Sequence, residues 1–242
     1  MEKTISIRAT ELEAFYKCAF KHKYQVREFS DSDALLFWNY THSVLNAYAI
    51  KPENWISTLE FMCMNYTERC DVIFKYLWLY DINELQKKYN VVSTEYKNII
   101  THRIWDYKLV IEWTIDCVSK DIWWDFTLLD WKTSKAEWKD DDYEYHIQKY
   151  IYSRMFAKLV WQERVKWFDY IIFTKHVTPR FQLLHYEADF NYINKFMDDL
   201  LNAYVESTEK DLWNPSVSKQ CFYCSLKNNC PTQKKWTDDF NF

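Results

Sequence analysis

A chain of 242 residues without a single glycine is constrained first of all at its turns. Glycine takes positive φ at little cost, closes helix C-termini and lets two backbones approach closely, and Asn or Asp replaces it only in part. Average usage of about 7% would supply roughly 17 glycines in a chain of this length. This chain carries none, and 13 tryptophans. Its reversals must be made by Asn, Asp and the four prolines, Pro52, Pro179, Pro215 and Pro231.

With 48% hydrophobic and 27% charged residues the chain can bury a sizeable core, which excludes fibrous and disordered classes. No apolar run approaches the 18 or so residues of a membrane span, and Met1-Glu2-Lys3-Thr4 leads into no apolar segment, so the expected compartment is cytoplasmic with no membrane contact. The net charge of -4 argues against a broad basic coat. It leaves room for a local groove, in which Lys17, Lys21, Lys23, Arg27, Lys132 and Lys135 are candidates for one wall.

Periodicity predicts helices and strands in alternation. Thr10-Glu11-Leu12-Glu13 reads as a capping box with Thr10 as cap and Glu13 reaching back, opening a helix that carries Cys18. A second helix is expected over 33–49, with His42 inside it, and helical patterns continue over 56–89. Strands are expected over 91–96, 107–118, 126–133, 165–173 and 181–187, and helices over 143–160 and 189–205. The expected architecture is α/β, a mixed central sheet flanked by helices, forming one domain with a mainly helical part over 1–90, a core over 91–187 and a tail over 188–242.

The chemistry concentrates in two strands. In Leu128-Leu129-Asp130-Trp131-Lys132-Thr133, alternation puts Asp130 and Lys132 on one face. In Glu112-Trp113-Thr114-Ile115-Asp116, Asp116 shares a face with Glu112. A reversal near 122–124 would pair the strands antiparallel and bring Asp116 close to Asp130. Two such carboxylates repel unless a cation lies between them, and oxygen ligands suit Mg2+ or Mn2+. On the following helix Gln148, Tyr152, Met155 and Leu159 form one stripe, so Gln148 needs a polar partner if it is buried.

Seven cysteines are an odd number in a chain with no secretion signal, which points to metal binding before disulfides. Cys221, Cys224 and Cys230 form C-x2-C-x5-C, while Cys63, Cys70 and Cys117 sit singly in apolar periodic segments and read as core residues.

Taken in order, these motifs resemble the PD-(D/E)xK nuclease superfamily, in the RecB-like branch that includes AddB-type and CRISPR-associated exonucleases with an iron-sulfur cluster. The resemblance spans nearly the whole chain. It implies a restriction-endonuclease-like core in which His42, Asp116, Asp130 and the Trp131 carbonyl bind Mg2+ or Mn2+, Lys132 serves the attacking water, and Gln148 and Tyr152 orient site and substrate. Glu95 corresponds to a supporting acid on an earlier strand. The resemblance further implies that Cys18 joins Cys221, Cys224 and Cys230 around a 4Fe-4S cluster, with Zn2+ as the alternative, since four thiolates suit both metals.

The function so implied is a metal-dependent DNA exonuclease acting on ends or single strands, possessing as a partner DNA and, in a recombination or replication complex, another protein. The competing readings are a non-catalytic iron-sulfur DNA-binding module and a four-cysteine zinc protein whose acids are surface charge.

The glycine deficit is interpretable against the same resemblance. Trp38 and Trp113 stand where the family carries Gly before its His and its first Asp, and Trp123-Trp124 occupies the expected hairpin turn, where indoles are poor turn formers. The expectation is that such tryptophans are UGA codons which the source organism reads as glycine. Trp131, inside Asp-Trp-Lys-Thr, is expected to be authentic.

Overall fold

A computed structural model describes residues 2–24, 39, 42–43, 45–46, 49, 88–134, 136–139, 145–174, 180–216, 218, 221 and 224–232. Residues 56–87 of the helical stretch expected over 56–89, with Trp38, Arg27, Lys135, Cys63 and Cys70, lie outside the described residues. The chain divides into two compact units, Met1–Phe29 with Ile99–Glu112 and Asn194–Phe242, and Ser30–Asn98 with Trp113–Ile193.

The first unit opens on β1, Lys3–Arg8, which the sequence reading did not anticipate. Its alternating Ile5 and Ile7 are short of the length that periodicity needs, and the strand exists because it pairs in parallel with Tyr107–Glu112. This pairing also moves the start of the first helix. The chain leaves β1 directly into α1, Ala9–Lys17, with Arg8 as the N-cap. The Arg8 backbone N–H donates to Glu11 Oε2 at 2.9 Å, so Glu11 is the acid that reaches back, and Thr10 is already in the first turn. Glu13 instead pairs with Lys17 at 2.9 Å. Cys18 ends α1 in extended backbone, at the junction with α2, Ala19–Tyr24, where the expectation had it within a helix. The core of this unit is aromatic: Phe15 meets Tyr204 edge-on at 5.1 Å and Trp213 at 6.0 Å. Tyr204 belongs to α4, Phe190–Lys210, longer than the expected 189–205.

Two long strands thread both units, β2 (Val91–Ile104) and β3 (Tyr107–Lys120). β2 runs well past the expected end at 96. In the second unit follow β4 (Phe126–Ser134), α3 (Gln148–Ala157), β5 (Val165–Thr174) and β6 (Arg180–Glu187). The strand order is β1-β3-β4-β5-β6, with β2 on β3. β3 and β4 are antiparallel, β4 and β5 parallel, β5 and β6 antiparallel, so the sheet is mixed as expected. A parallel pair needs a crossover, and α3 lies in the one between β4 and β5. Central β5 is buried from Phe168 to Thr174, which is why its sequence is a continuous apolar run broken only by Asp169. The expected start of this helix at 143 lies outside the described residues, and α3 lays Ile151, Tyr152, Met155 and Phe156 into the core.

The reversal near 122–124 forms without glycine. Asp121 Oδ1 accepts the N–H groups of Trp123 at 2.8 Å and Asp125 at 2.9 Å, so an aspartate side chain organises the turn. Trp124 nevertheless stands at φ 66°, and Trp105, in the turn between β2 and β3, at φ 51°. The left-handed region costs a residue with a Cβ roughly 1–2 kcal/mol. Among the described residues no helix is long and apolar enough to cross a membrane.

Candidate active site

The β3–β4 register pairs Cys117 with Leu129. One step further along it, Asp116 comes opposite Asp130, as the alternation of both strands requires. Asp116 then uses both oxygens: Oδ2 accepts the backbone N–H of Trp131 at 2.7 Å, and Oδ1 lies 3.4 Å from His42 Nδ1. A carboxylate from β3 is thus tied to the middle of the Asp130-Trp131-Lys132 segment and to the helical residue His42, which is buried.

Asp130 is 3% exposed. Burial pushes its carboxyl up to about 7, the Lys132 ammonium opposes that rise, and Asp116 adds to it. Lys132 Nζ is ion-paired with Asp130. It also donates to Gln148 Oε1 at 2.7 Å and lies 5.9 Å from the centre of the Tyr170 ring. Gln148 is buried and finds its polar partner in Lys132. It belongs to the first turn of α3, which delivers the amide to the strand. Tyr152, one turn on, packs its ring against Phe168 at 6.2 Å, within the core.

Several contributors escaped the sequence reading. Asn46 accepts the Trp131 indole N–H at Oδ1, 3.1 Å away, and donates from Nδ2 to Glu95 Oε1 at 3.2 Å. Its place four residues after His42, on the same helix face, was the available signal. Tyr170, paired with Asp130 across the β4–β5 ladder, donates its hydroxyl to the His146 carbonyl at 2.8 Å and accepts the Lys149 N–H at 3.1 Å. It fixes the approach to α3 beneath Lys132. Trp138 stacks on His146 at 3.9 Å, and its backbone is pinned by both ends of the Gln182 amide.

Two carboxylates and an imidazole, with one carboxyl raised by burial and by its neighbour, are a donor set that suits Mg2+ or Mn2+. Among the described residues, however, no three His, Cys, Asp or Glu side chains converge as a ready-made metal cage, and it is Lys132 that meets the Asp130 charge. In the other unit Cys18, Cys221, Cys224 and Cys230 are all free thiols of intermediate exposure. The backbone N–H of Lys21 points at Cys18 Sγ, 3.5 Å away, and that of Ser218 at Cys221 Sγ, 3.4 Å away. Cys117 is buried as expected, and burial raises its thiol. Lys17 is paired with Glu13 and Lys23 with Asp211 at 3.6 Å, so these two cations are already partly neutralised.

A candidate exonuclease from Eubacterium rectale of known structure superposes with a TM-score of 0.57, over 93% of this chain and 87% of its own, at 16% sequence identity. This chain shares the fold of that protein. A second solved structure, SSO0001, overlaps at a TM-score of 0.42 and 15% identity, too low to bear on the fold. No family model and no curated protein matches the chain. In this fold the Asp116, Asp130 and Lys132 side chains meet on one sheet face, and His42 and Gln148 reach them from helices.

Proposed function

We propose that the chain is a metal-dependent DNA nuclease of the exonuclease type, hydrolysing phosphodiesters at ends or in single strands. The observation that carries this reading is the Lys132 ammonium held between Asp130 and the Gln148 amide. An ammonium so placed has a fixed direction and a polar relay to α3, which is what positioning a water or a phosphate oxygen demands. Likeness to a candidate exonuclease supports the same substrate class.

His42, Asp116 and Asp130, with the Trp131 carbonyl, are the residues that would hold Mg2+ or Mn2+. Such a cation, when bound, neutralises phosphate charge and makes a bound water more acidic. Asp116 keeps the Trp131 segment in place through the backbone N–H. Lys132 orients the attacking oxygen, and Gln148 holds Lys132 on station. Tyr152, packed on Phe168, acts through the seating of α3. In the other unit Cys18, Cys221, Cys224 and Cys230 are proposed to carry a 4Fe-4S cluster. What supports the reading is that none of the four is in a disulfide and that N–H donors are aimed at two of the sulfurs, although the four do not converge as a ready-made cage.

End-labelled single- and double-stranded DNA, incubated with the protein in Mg2+, in Mn2+ and in EDTA, tests the function. Shortening of labelled strands only where a divalent cation is supplied is the expected result. Binding without cleavage in both metals would replace the nuclease by a DNA-binding module.

A further inference from the structure

Asn46 joins three segments that the proposed chemistry needs in register. The indole N–H of Trp131 can only donate and an ionised glutamate can only accept, so the two bonds to Oδ1 and Nδ2 allow the Asn46 amide one orientation and no flip. Asn46 itself is buried. On one side it holds the residue between Asp130 and Lys132. On the other it holds Glu95, which stands within β2 at φ 46°, a conformation that an acid with a Cβ keeps only where its surroundings impose it. One helical turn before Asn46 lies His42, against Asp116.

Resting on the nuclease reading above, we propose that Asn46 is a positioning residue. It sets the Asp130-Trp131-Lys132 strand and the Glu95 carboxylate at a fixed distance from the helix that carries His42, and so tunes metal affinity without touching metal or DNA. Outer partners of this kind typically change metal affinity or rate by about 10–100-fold when removed. Asn46→Leu loses both bonds at similar volume. Asn46→Asp keeps the acceptor for Trp131 and sets a second carboxylate against Glu95.

The test is Mn2+ titration of the parent and both variants by calorimetry, together with the indole N–H resonance of Trp131, assigned by its loss in Trp131→Phe. The expected result is about a tenfold weaker Mn2+ affinity in both variants. The Trp131 resonance should shift strongly in Asn46→Leu and little in Asn46→Asp. Unchanged Mn2+ affinity in a folded Asn46→Asp protein would overturn the proposal. Since neither readout uses cleavage, a parent that binds Mn2+ but cuts no DNA would sink the nuclease reading and leave this one standing.

A second inference rests on different observations. The tryptophans divide by how they are seated. Trp131 is buried with its N–H bonded to Asn46. Trp113 is equally buried, yet its indole N–H has no hydrogen-bond partner among the described residues, a cost that a buried donor seldom bears. Trp105 and Trp124 hold left-handed backbone while their indoles are 67% and 64% exposed, so packing cannot compensate the conformation. Lys120 lies over the Trp124 ring at 3.6 Å, a small exposed cation–π term.

We infer that positions 105, 113 and 124 are glycine in the protein as its source cells make it, through UGA codons decoded as Gly. Peptide mass spectrometry of protein purified from those cells decides this. Glycine is expected at all three positions and tryptophan at Trp131, whereas tryptophan at 105, 113 and 124 would refute the inference.

Discussion

Lys132 Nζ donates to Gln148 Oε1 at 2.7 Å while pairing with Asp130, so the first turn of α3 and the middle of β4 share one cation. The two residues are 16 apart in sequence, and the crossover between parallel strands is what brings them together. Unlike the Asp130 carboxylate, the amide acceptor neutralises none of the ammonium's charge.

Replacing Lys132 by Met should abolish metal-dependent cleavage, by roughly 10²–10⁴-fold in kcat, the usual contribution of a positioned proton-transfer or charge-bearing group. Asp130→Asn should do the same. Both proteins should retain the parent's circular dichroism. Cleavage by either at the parental rate would remove them from the site.

Gln148→Leu keeps the apolar packing of α3 and removes the acceptor. Lys132 then loses an anchor, and kcat should drop about 10–150-fold, with little change in KM for DNA, because one hydrogen bond to a charged group is worth about 1.5–3 kcal/mol. A change confined to KM would place Gln148 on the DNA instead.

The metal-free protein should lose stability as pH rises from about 4 to about 7. Burial holds the folded Asp130 carboxyl protonated up to about 7, whereas the unfolded carboxyl releases its proton near its ordinary value of 3.8. Between those values the folded state binds the extra proton, so raising pH across the window favours unfolding. Urea midpoints of parent and Asp130→Asn, measured in EDTA across that range, should diverge, with the variant gaining relative stability toward pH 7. Parallel curves would show that Asp130 ionises in the fold as it does in the open chain. Added Mn2+ should flatten the parent's decline, since a cation favours the carboxylate.

Anaerobically purified protein should be brown with about four irons per chain, and Cys18→Ser should bleach as fully as Cys224→Ser. Stoichiometric zinc would exchange the metal and keep the four ligands. A cluster retained in Cys18→Ser would displace Cys18 from the ligand set.

Much of the site is local in origin. Alternation along a strand forces Asp130 and Lys132 to one face whatever surrounds them, and helical spacing puts Gln148 on the stripe that α3 buries. These follow from backbone geometry, which needs only neighbours in sequence. The reversal at Asp121 and the mixed sheet were legible for the same reason, as was the burial of Cys117.

What tertiary structure decided is each group's partner. Nothing within five residues of Asp116 says that its oxygens will meet the Trp131 N–H and His42, nor does the surrounding sequence assign Asn46 to Trp131 or Tyr170 to the floor beneath Lys132. β1 has too few residues to announce itself and owes its existence to the strand it pairs with, which also displaced the cap from Thr10 to Arg8. Local periodicity sets which way a side chain points, but the group it meets depends on strand register and crossover, and those are settled only when distant segments bury their apolar faces together.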